Sequence, residues 1–480
     1  MKNSSQKQLL KATGIIGGSQ VIVILIGIVR TKIIAILLGP SGVGIVGMLQ
    51  SILDLIRNLS GFGLNYSAVK YVAEADSSED KTRIVDSISV LKKLIFLTGG
   101  LGVLIMLLFA DKLSKMTFGN SNYTITLMYL SITLLFSSLS GGQIAVLQGK
   151  REIKKMSYAN MGGAIATSIF SIIFYYIWGY RGIIPVLVFS SLIPFLFSWY
   201  YTKNLFSNAY SYKWNLAIKN GFEMAKLGFF IVITGFMSTL TLYIVRHIIL
   251  IKLNIESVGI FQASWMITNI YIGVILNAML SDFFPRLSIL SNDNVASNKL
   301  INEQLELALI LGVPMIIIFI SLSPLIVNIL YSSSFLQTFP LLQWQLLGSF
   351  FTLIMWPIGV LFLSRNRGIF SIVTDGIWAI SYVVLIYFLW DSVGFLILGI
   401  AFFVASFFKL VAVYFFAIKV GDFSFSRNNI FLILKFAFLS FAMIVNVSLL
   451  TGFIQYIISF LLIGAVLVQC YSKIKNLFFS

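Results

Sequence analysis

Two arginines stand in matching tripeptides of this sequence, Ile28-Val29-Arg30 and Ile244-Val245-Arg246. The guanidinium group presents a planar fork of donors that fits the oxygens of a phosphate. Both arginines lie inside long apolar runs, where an ionisable group is costly unless it faces a hydrated cavity or a partner. Lys32, Arg57, Lys226, Lys409 and Lys435 are the other basic residues in such runs, and only Asp54 and Asp375 are acidic and well inside. The excess of fixed positive charge suits an anionic ligand.

Each of these residues has a competing reading. Arg30 and Arg246 can line a cavity at equivalent depth, or snorkel to a membrane surface that lies within about two helical turns. Asp54 and Arg57 are three residues apart and share a helix face, as a local salt bridge or as a coupling site for an ion. His247 projects about 100° from Arg246, and a proton-linked role competes with simple packing. Asp375 could carry a proton or sodium, or pack against a neighbouring helix. Lys226 and Lys435 lie near the cytoplasmic ends and read as snorkelling, while Lys409 is deeper and stays open. Lys32 points about 200° away from Arg30, so the two cannot both face one cavity. Arg30, Arg246, Arg57 and Lys409 are therefore the candidate binding residues, and Asp54, Asp375 and His247 the candidates for ion coupling.

Catalytic signatures are nearly absent. His247 is the sole histidine and Cys470 the sole cysteine, which rules out paired-histidine metal sites and any disulfide within the chain. Gly149-Lys150 is followed by Arg151, with Ile144 where a phosphate loop needs glycine, so no nucleotide motor is present. No cofactor is expected, and an enzyme is not; uphill movement would draw on a proton or sodium gradient or on the membrane potential.

The elements that must position these residues are membrane helices. The chain of 480 residues is 58% hydrophobic and 11% charged, with a mean hydropathy of +0.95, outside the range of soluble domains. Apolar runs of about twenty residues recur, and they read as fourteen spans from 13–38 and 43–64 through 307–330 to 453–470. The net charge of +17 does not imply nucleic acid, because Lys and Arg concentrate in alternate connections; that pattern places both termini in the cytoplasm.

The arginine tripeptides belong to a duplication. Val43-Gly44-Ile45 recurs as Val258-Gly259-Ile260, and Tyr175, Trp178 and Gly182 share the spacing of Tyr387, Trp390 and Gly394; the three echoes, arginine tripeptides first, are offset by 216, 215 and 212 residues. Basic turns after the fourth span of each half agree: Lys150, Arg151, Lys154 and Lys155 in one, Arg365 and Arg367 in the other. The expected organisation is all-α: a six-helix bundle over 1–201, a cytoplasmic linker at 202–222, a second parallel bundle over 223–420, and an additional hairpin over 421–480. Parallel six-span repeats permit a cavity opening alternately to each side.

Over roughly residues 9 to 420 the chain resembles the Wzx-type polysaccharide flippases of the multidrug/oligosaccharidyl-lipid/polysaccharide exporter superfamily. The resemblance rests on Gly39-Pro40-Ser41-Gly42-Val43-Gly44, Val69-Lys70-Tyr71-Val72-Ala73-Glu74, Phe118-Gly119-Asn120, Gln148-Gly149-Lys150-Arg151, Val258-Gly259-Ile260-Phe261-Gln262, Pro285-Arg286-Leu287-Ser288 and Trp344-Gln345-Leu346-Leu347-Gly348. It implies movement of an undecaprenyl-diphosphate-linked oligosaccharide, an O-antigen or related repeat unit, across a bacterial cytoplasmic membrane. It also implies membrane lipid, a glycan polymerase and chain-length proteins as partners. The final hairpin departs from the twelve spans of many relatives and is shared with peptidoglycan-precursor flippases. Their Asp-Ala-Phe stretch and arginine-rich end of span two are missing here, where Gly44-Ile45-Val46-Gly47 and Ile56-Arg57-Asn58-Leu59-Ser60-Gly61 stand. A multidrug antiporter and a membrane glycan polymerase are the remaining alternatives.

The topology is testable with fusions. A reporter that folds only in the cytoplasm should be active at either terminus and at 202–222, and inactive when inserted within 111–122; the reverse pattern would invert the orientation.

Overall fold

The computed structural model describes residues 2–77, 81–207 and 214–479, and the side chains of residues 2–17, 65, 66, 81, 206, 207, 214–228, 231, 271, 277, 278, 281, 472 and 474–479 lie outside that description. Among the described residues every regular element is helical. Hydrocarbon offers the backbone no partners, so each N–H and C=O must be satisfied inside its own helix. Among the described residues eleven helical stretches are long and apolar enough to cross a membrane, and three of them, Gly18–Gly61, Ile153–Leu205 and Ile369–Gly421, run to 44, 53 and 53 residues. Each of these three is broken at a glycine with positive φ, Gly39 (62°), Gly179 (52°) and Gly394 (66°). Since about twenty residues make one crossing, the breaks restore the fourteen spans expected.

Two compact units divide at Gly259, Met1–Gly259 and Ile260–Ser480. The first contains α1 (Lys2–Gly61, kinked at Gly39), α2 (Leu64–Ser77), α3 (Lys81–Phe118), α4 (Thr124–Gly149), α5 (Ile153–Trp178), α6 (Ile183–Ser207), α7 (Trp214–Lys252) and the first turn of α8 (Ile255–Ile289). Within it α1 packs on α5, α4 on α3 and α6, and α7 on α1 and α3. The second contains the rest of α8, then α9 (Asn294–Ser321), α10 (Ser323–Leu330), α11 (Thr338–Ser364), α12 (Ile369–Val393), α13 (Ile397–Gly421), α14 (Arg427–Leu449) and α15 (Gly452–Phe479). Its centre is α11 against α9 and α13. The division at Gly259 follows packing, whereas the 202–222 boundary divides sequence repeats; of that linker, residues 208–213 lie outside the described residues, and the remainder is helical, the end of α6 and the start of α7.

Two expectations need adjustment. The run 307–330 is not one helix, because the chain breaks at Leu322 and restarts at Ser323 with Pro324 in its first turn, where a missing N–H costs nothing. The second repeat echo is also out of register. Gly179 and Gly394 both cap a helix with φ positive, their N–H groups bonding the carbonyls of Tyr175 and Trp390. Gly394 therefore corresponds to Gly179 rather than to Gly182.

The duplication is visible in the turns themselves. After α4, the N–H groups of Arg151 and Glu152 bond the carbonyls of Gln148 and Leu147 at 3.0 and 2.8 Å; after α11, those of Asn366 and Arg367 bond Leu363 and Phe362 at 3.1 and 2.7 Å. Arg151 and Asn366 each have φ of 55°. This closure of a helix end by a left-handed residue recurs with donors and acceptors all shifted by the same 215 positions.

The C-terminal hairpin is tied to the second unit. Both α14 and α15 pack on α9, and Asn429 Nδ2 donates to the Asn302 carbonyl at 2.9 Å while Lys473 Nζ pairs with Glu306 at 3.1 Å.

The repeat glycines meet each other in the first unit. A Cβ on Gly44 would overlap the Ile255 carbonyl oxygen and lie 3.0 Å from the Gly259 nitrogen; a Cβ on Gly259 would overlap the Pro40 carbonyl oxygen and lie 3.0 Å from the Gly44 nitrogen. Each glycine thus touches the carbonyl four residues before the other, so the contact has two-fold character. Gly44→Ala or Gly259→Ala should each destabilise the protein by about 1–3 kcal/mol through overpacking, read as a lower unfolding temperature in detergent. Gly464→Ala, with open space around its Cα, should not lower it.

Candidate functional site

One face of α7 carries the polar contacts of the first unit. Thr239, Tyr243 and Arg246 recur at i, i+4 and i+7, on one helical stripe. Asn58 Nδ2 donates to Thr239 Oγ1 at 3.1 Å, Tyr243 Oη and Thr117 Oγ1 share a hydrogen bond of 2.7 Å, and Arg246 Nη1 donates to Ser51 Oγ. Arg246 is buried, 7% exposed. Its Nη1 meets the dipole of the Ser51 hydroxyl inside the protein.

Arg30 is half-buried, and its Nε is enclosed without a hydrogen-bond partner. It lies within electrostatic reach of the Tyr175 hydroxyl on α5. The two candidate arginines thus have different surroundings, Ser51 on the second half of α1 for Arg246 and Tyr175 for Arg30.

The acids within the spans are both engaged. Asp54 Oδ1 pairs with Arg57 Nη2 at 2.7 Å and accepts from Gln50 Nε2 at 3.0 Å, the local salt bridge that the three-residue spacing allows. Asp375 on α12 pairs with Lys409 Nζ on α13 at 2.5 Å, both half-buried. These two were assigned to different roles from sequence, and the structure brings them together. Lys435 is exposed, and the side chain of Lys226 lies outside the described residues.

His247 stacks parallel to Tyr243 with ring centroids 6.1 Å apart and an interplanar angle of 1°. It borders a cavity of about 520 Å³ together with Lys115, Thr117 and Asn120. Sequence reasoning missed Lys115 and Thr117 because they close a span rather than sit inside one.

It also missed buried polar partners. Gln345 on α11 is fully buried, accepts from Thr268 Oγ1 at 3.3 Å, and leaves its Nε2 without a partner. Ser51 gave no signal either, since a lone serine in an apolar helix usually bonds its own backbone. Two motifs of the resemblance touch: a Cβ on Gly149 would come within 2.7 Å of Val72 Cβ, and Lys150 Nζ pairs with Asp76 at 3.1 Å.

Comparison with known proteins agrees with this architecture. The solved structure of the lipid II flippase MurJ, in an inward closed conformation, matches with a TM-score of 0.72 at 18% identity, covering 96% of this chain and 99% of that one. An inward-facing multidrug resistance MATE family transporter of the MOP superfamily matches with a TM-score of 0.71 at 14% identity, over 83% of this chain and 95% of that one. The chain therefore has the fold of this exporter superfamily. The lipid III flippase of Escherichia coli (strain K12) is 21% identical over 373 residues, 76% of this chain and 88% of that protein. A protein of Shigella flexneri named "Putative O-antigen transporter" is 23% identical over 372 residues, 75% of this chain and 85% of its own length. These relatives are named as flippases or transporters, and none as an enzyme. The family model described as polysaccharide biosynthesis protein matches residues 33–340, well over half of the sequence, and the chain belongs to that family.

Proposed function

We propose that this protein is a flippase that moves a diphosphate-linked lipid oligosaccharide, an O-antigen or related repeat unit on undecaprenyl, from the inner to the outer leaflet of a bacterial cytoplasmic membrane. The observation that carries the reading is the imbalance of charge inside the spans. Asp54 and Asp375 are each neutralised by a basic neighbour, whereas Arg30 has no carboxylate partner among the described residues. Such a site favours an anion and offers little to a cationic drug, although the fold is shared with multidrug transporters. The relatives named lipid III flippase and O-antigen transporter support the substrate class.

The physical problem is the headgroup. Sugars and phosphates lose their hydration in hydrocarbon at a cost that makes unaided flipping slow. In the proposed cycle the two repeats alternate between inward and outward openings, Arg30 and Arg246 hold the phosphates, and the lipid tail stays in the bilayer. Arg57 is half committed to Asp54, and Lys409 to Asp375, so both enter as secondary sites. Asp54, Asp375 and His247 are the places where a proton or sodium could couple to the cycle. A peptidoglycan-precursor flippase is the second reading, favoured by the match to the lipid II flippase over nearly the whole chain, terminal hairpin included.

Arg30→Ala and Arg246→Ala should each lower translocation at least tenfold in reconstituted vesicles or in a flippase-deficient strain, with membrane expression retained. Wild-type export by the double variant would refute the arginine site. Restoration of O-antigen export, but not of growth in cells lacking the peptidoglycan flippase, separates the two readings.

Asp375→Asn leaves Lys409 without its counter-charge and should lower the unfolding temperature; adding Lys409→Met should restore it. Transport is expected to stay lost in the double variant, which gives the pair a part in the cycle beyond holding α12 against α13. Recovery of transport would confine the pair to structure.

A further inference from the structure

The cavity at the end of α3 is a built site. Its wall, the turn after Phe118, begins at Gly119 with φ of 74°. Ser114 Oγ donates to the Asn120 carbonyl at 2.6 Å and accepts from the Tyr123 N–H at 3.2 Å, and the Asn122 N–H donates to Asn120 Oδ1 at 3.0 Å. The Tyr123 ring stacks on Phe118 at 3.9 Å. The turn is therefore held without any ligand.

The opposite wall is α7, where Tyr243 fixes His247 by stacking and is itself fixed by Thr117. His247 Nδ1 is buried with no hydrogen-bond partner. An enclosed lone pair is tolerated better than an enclosed, unpaired N–H, so the ring proton belongs on Nε2, which remains accessible to a ligand. Lys115 also borders this cavity; the exposed Asp111 pairs with it at 2.7 Å.

A second cavity, of about 350 Å³, shares Met116 with the first. Lys112 lies on its border, and its other walls are apolar, among them Ile52, Phe109, Phe236 and Leu240. Lys112 and Lys115 are three residues apart and share a helix face. Side by side, then, are a cavity bordered by a fixed N–H donor and the Lys115 ammonium, and an apolar one, bordered by Lys112, large enough for hydrocarbon.

We propose that the two cavities together bind a lipid with a phosphate headgroup. The phosphate sits among Lys112, Lys115 and His247 Nε2, and one chain passes Met116 into the apolar cavity. Charge-assisted hydrogen bonds supply the recognition. The site requires only that the chain lies in a membrane, so it stands or falls separately from the translocation reading.

The sole histidine makes the test direct, because a histidine-labelled full chain in maltoside micelles gives one imidazole signal, assigned by its loss in His247→Gln. Phosphatidic acid should shift that signal saturably. The pair Lys112→Met and Lys115→Met should weaken the apparent affinity at least fivefold, with an unchanged unfolding temperature. Diacylglycerol with the same chains should give no shift, and inorganic phosphate should bind at least tenfold more weakly than phosphatidic acid. Met116→Trp, which fills the passage, should weaken phosphatidic acid and leave inorganic phosphate unchanged. An equal response to diacylglycerol would remove the phosphate from the proposal, an equal response to inorganic phosphate would remove the lipid, and no response to any of them would overturn it entirely.

Discussion

An arginine placed within a membrane-spanning helix must be answered by something other than hydrocarbon, and in the first unit Ser51 answers Arg246. The bond is one of three that leave the same stripe of α7, with Thr239 and Tyr243 as the others. In lipid there is little hydrophobic drive to bring helices together, so polar bonds and close packing decide which faces meet. The stripe fixes α7 against α1 and α3, and the cavity beside His247 exists because those helices are held there.

The second unit solves a similar problem with complete ion pairs. Asp375 and Lys409 cancel between α12 and α13, and Glu306 and Lys473 cancel between α9 and α15. A buried pair gives little net stability but a strong penalty for removing one partner. It therefore fixes which helices are neighbours more than it strengthens the whole. Arg30, enclosed at Nε and lacking such a partner, is different in kind, which is why the substrate reading leans on it.

Much of the architecture was legible because hydrocarbon demands it. The fourteen apolar runs, the local pair Asp54–Arg57 and the repeat of Val43-Gly44-Ile45 as Val258-Gly259-Ile260 all follow from composition or spacing. The register of the aromatic echo was not. A shift of three residues turns a helix by about 300°, so Tyr175 and Trp178 fall on nearly the same face as their own displaced copies, and spacing alone could not separate Gly179 from Gly182. The break at Leu322 was hidden because an apolar run looks alike in one helix or two. Contacts between residues far apart in sequence, such as Arg246 with Ser51 or Lys409 with Asp375, leave no local trace.

The meeting of Gly44 with Gly259 carries a consequence for how the duplicated halves can drift. Where two side chains meet, a larger one on one side can be accommodated by a smaller one on the other. Here each residue faces main-chain atoms of its counterpart, and no exchange of amino acid shortens a backbone. The two positions cannot compensate for one another, so each must stay without a side chain on its own account, and a change at one is not rescued by any residue at the other.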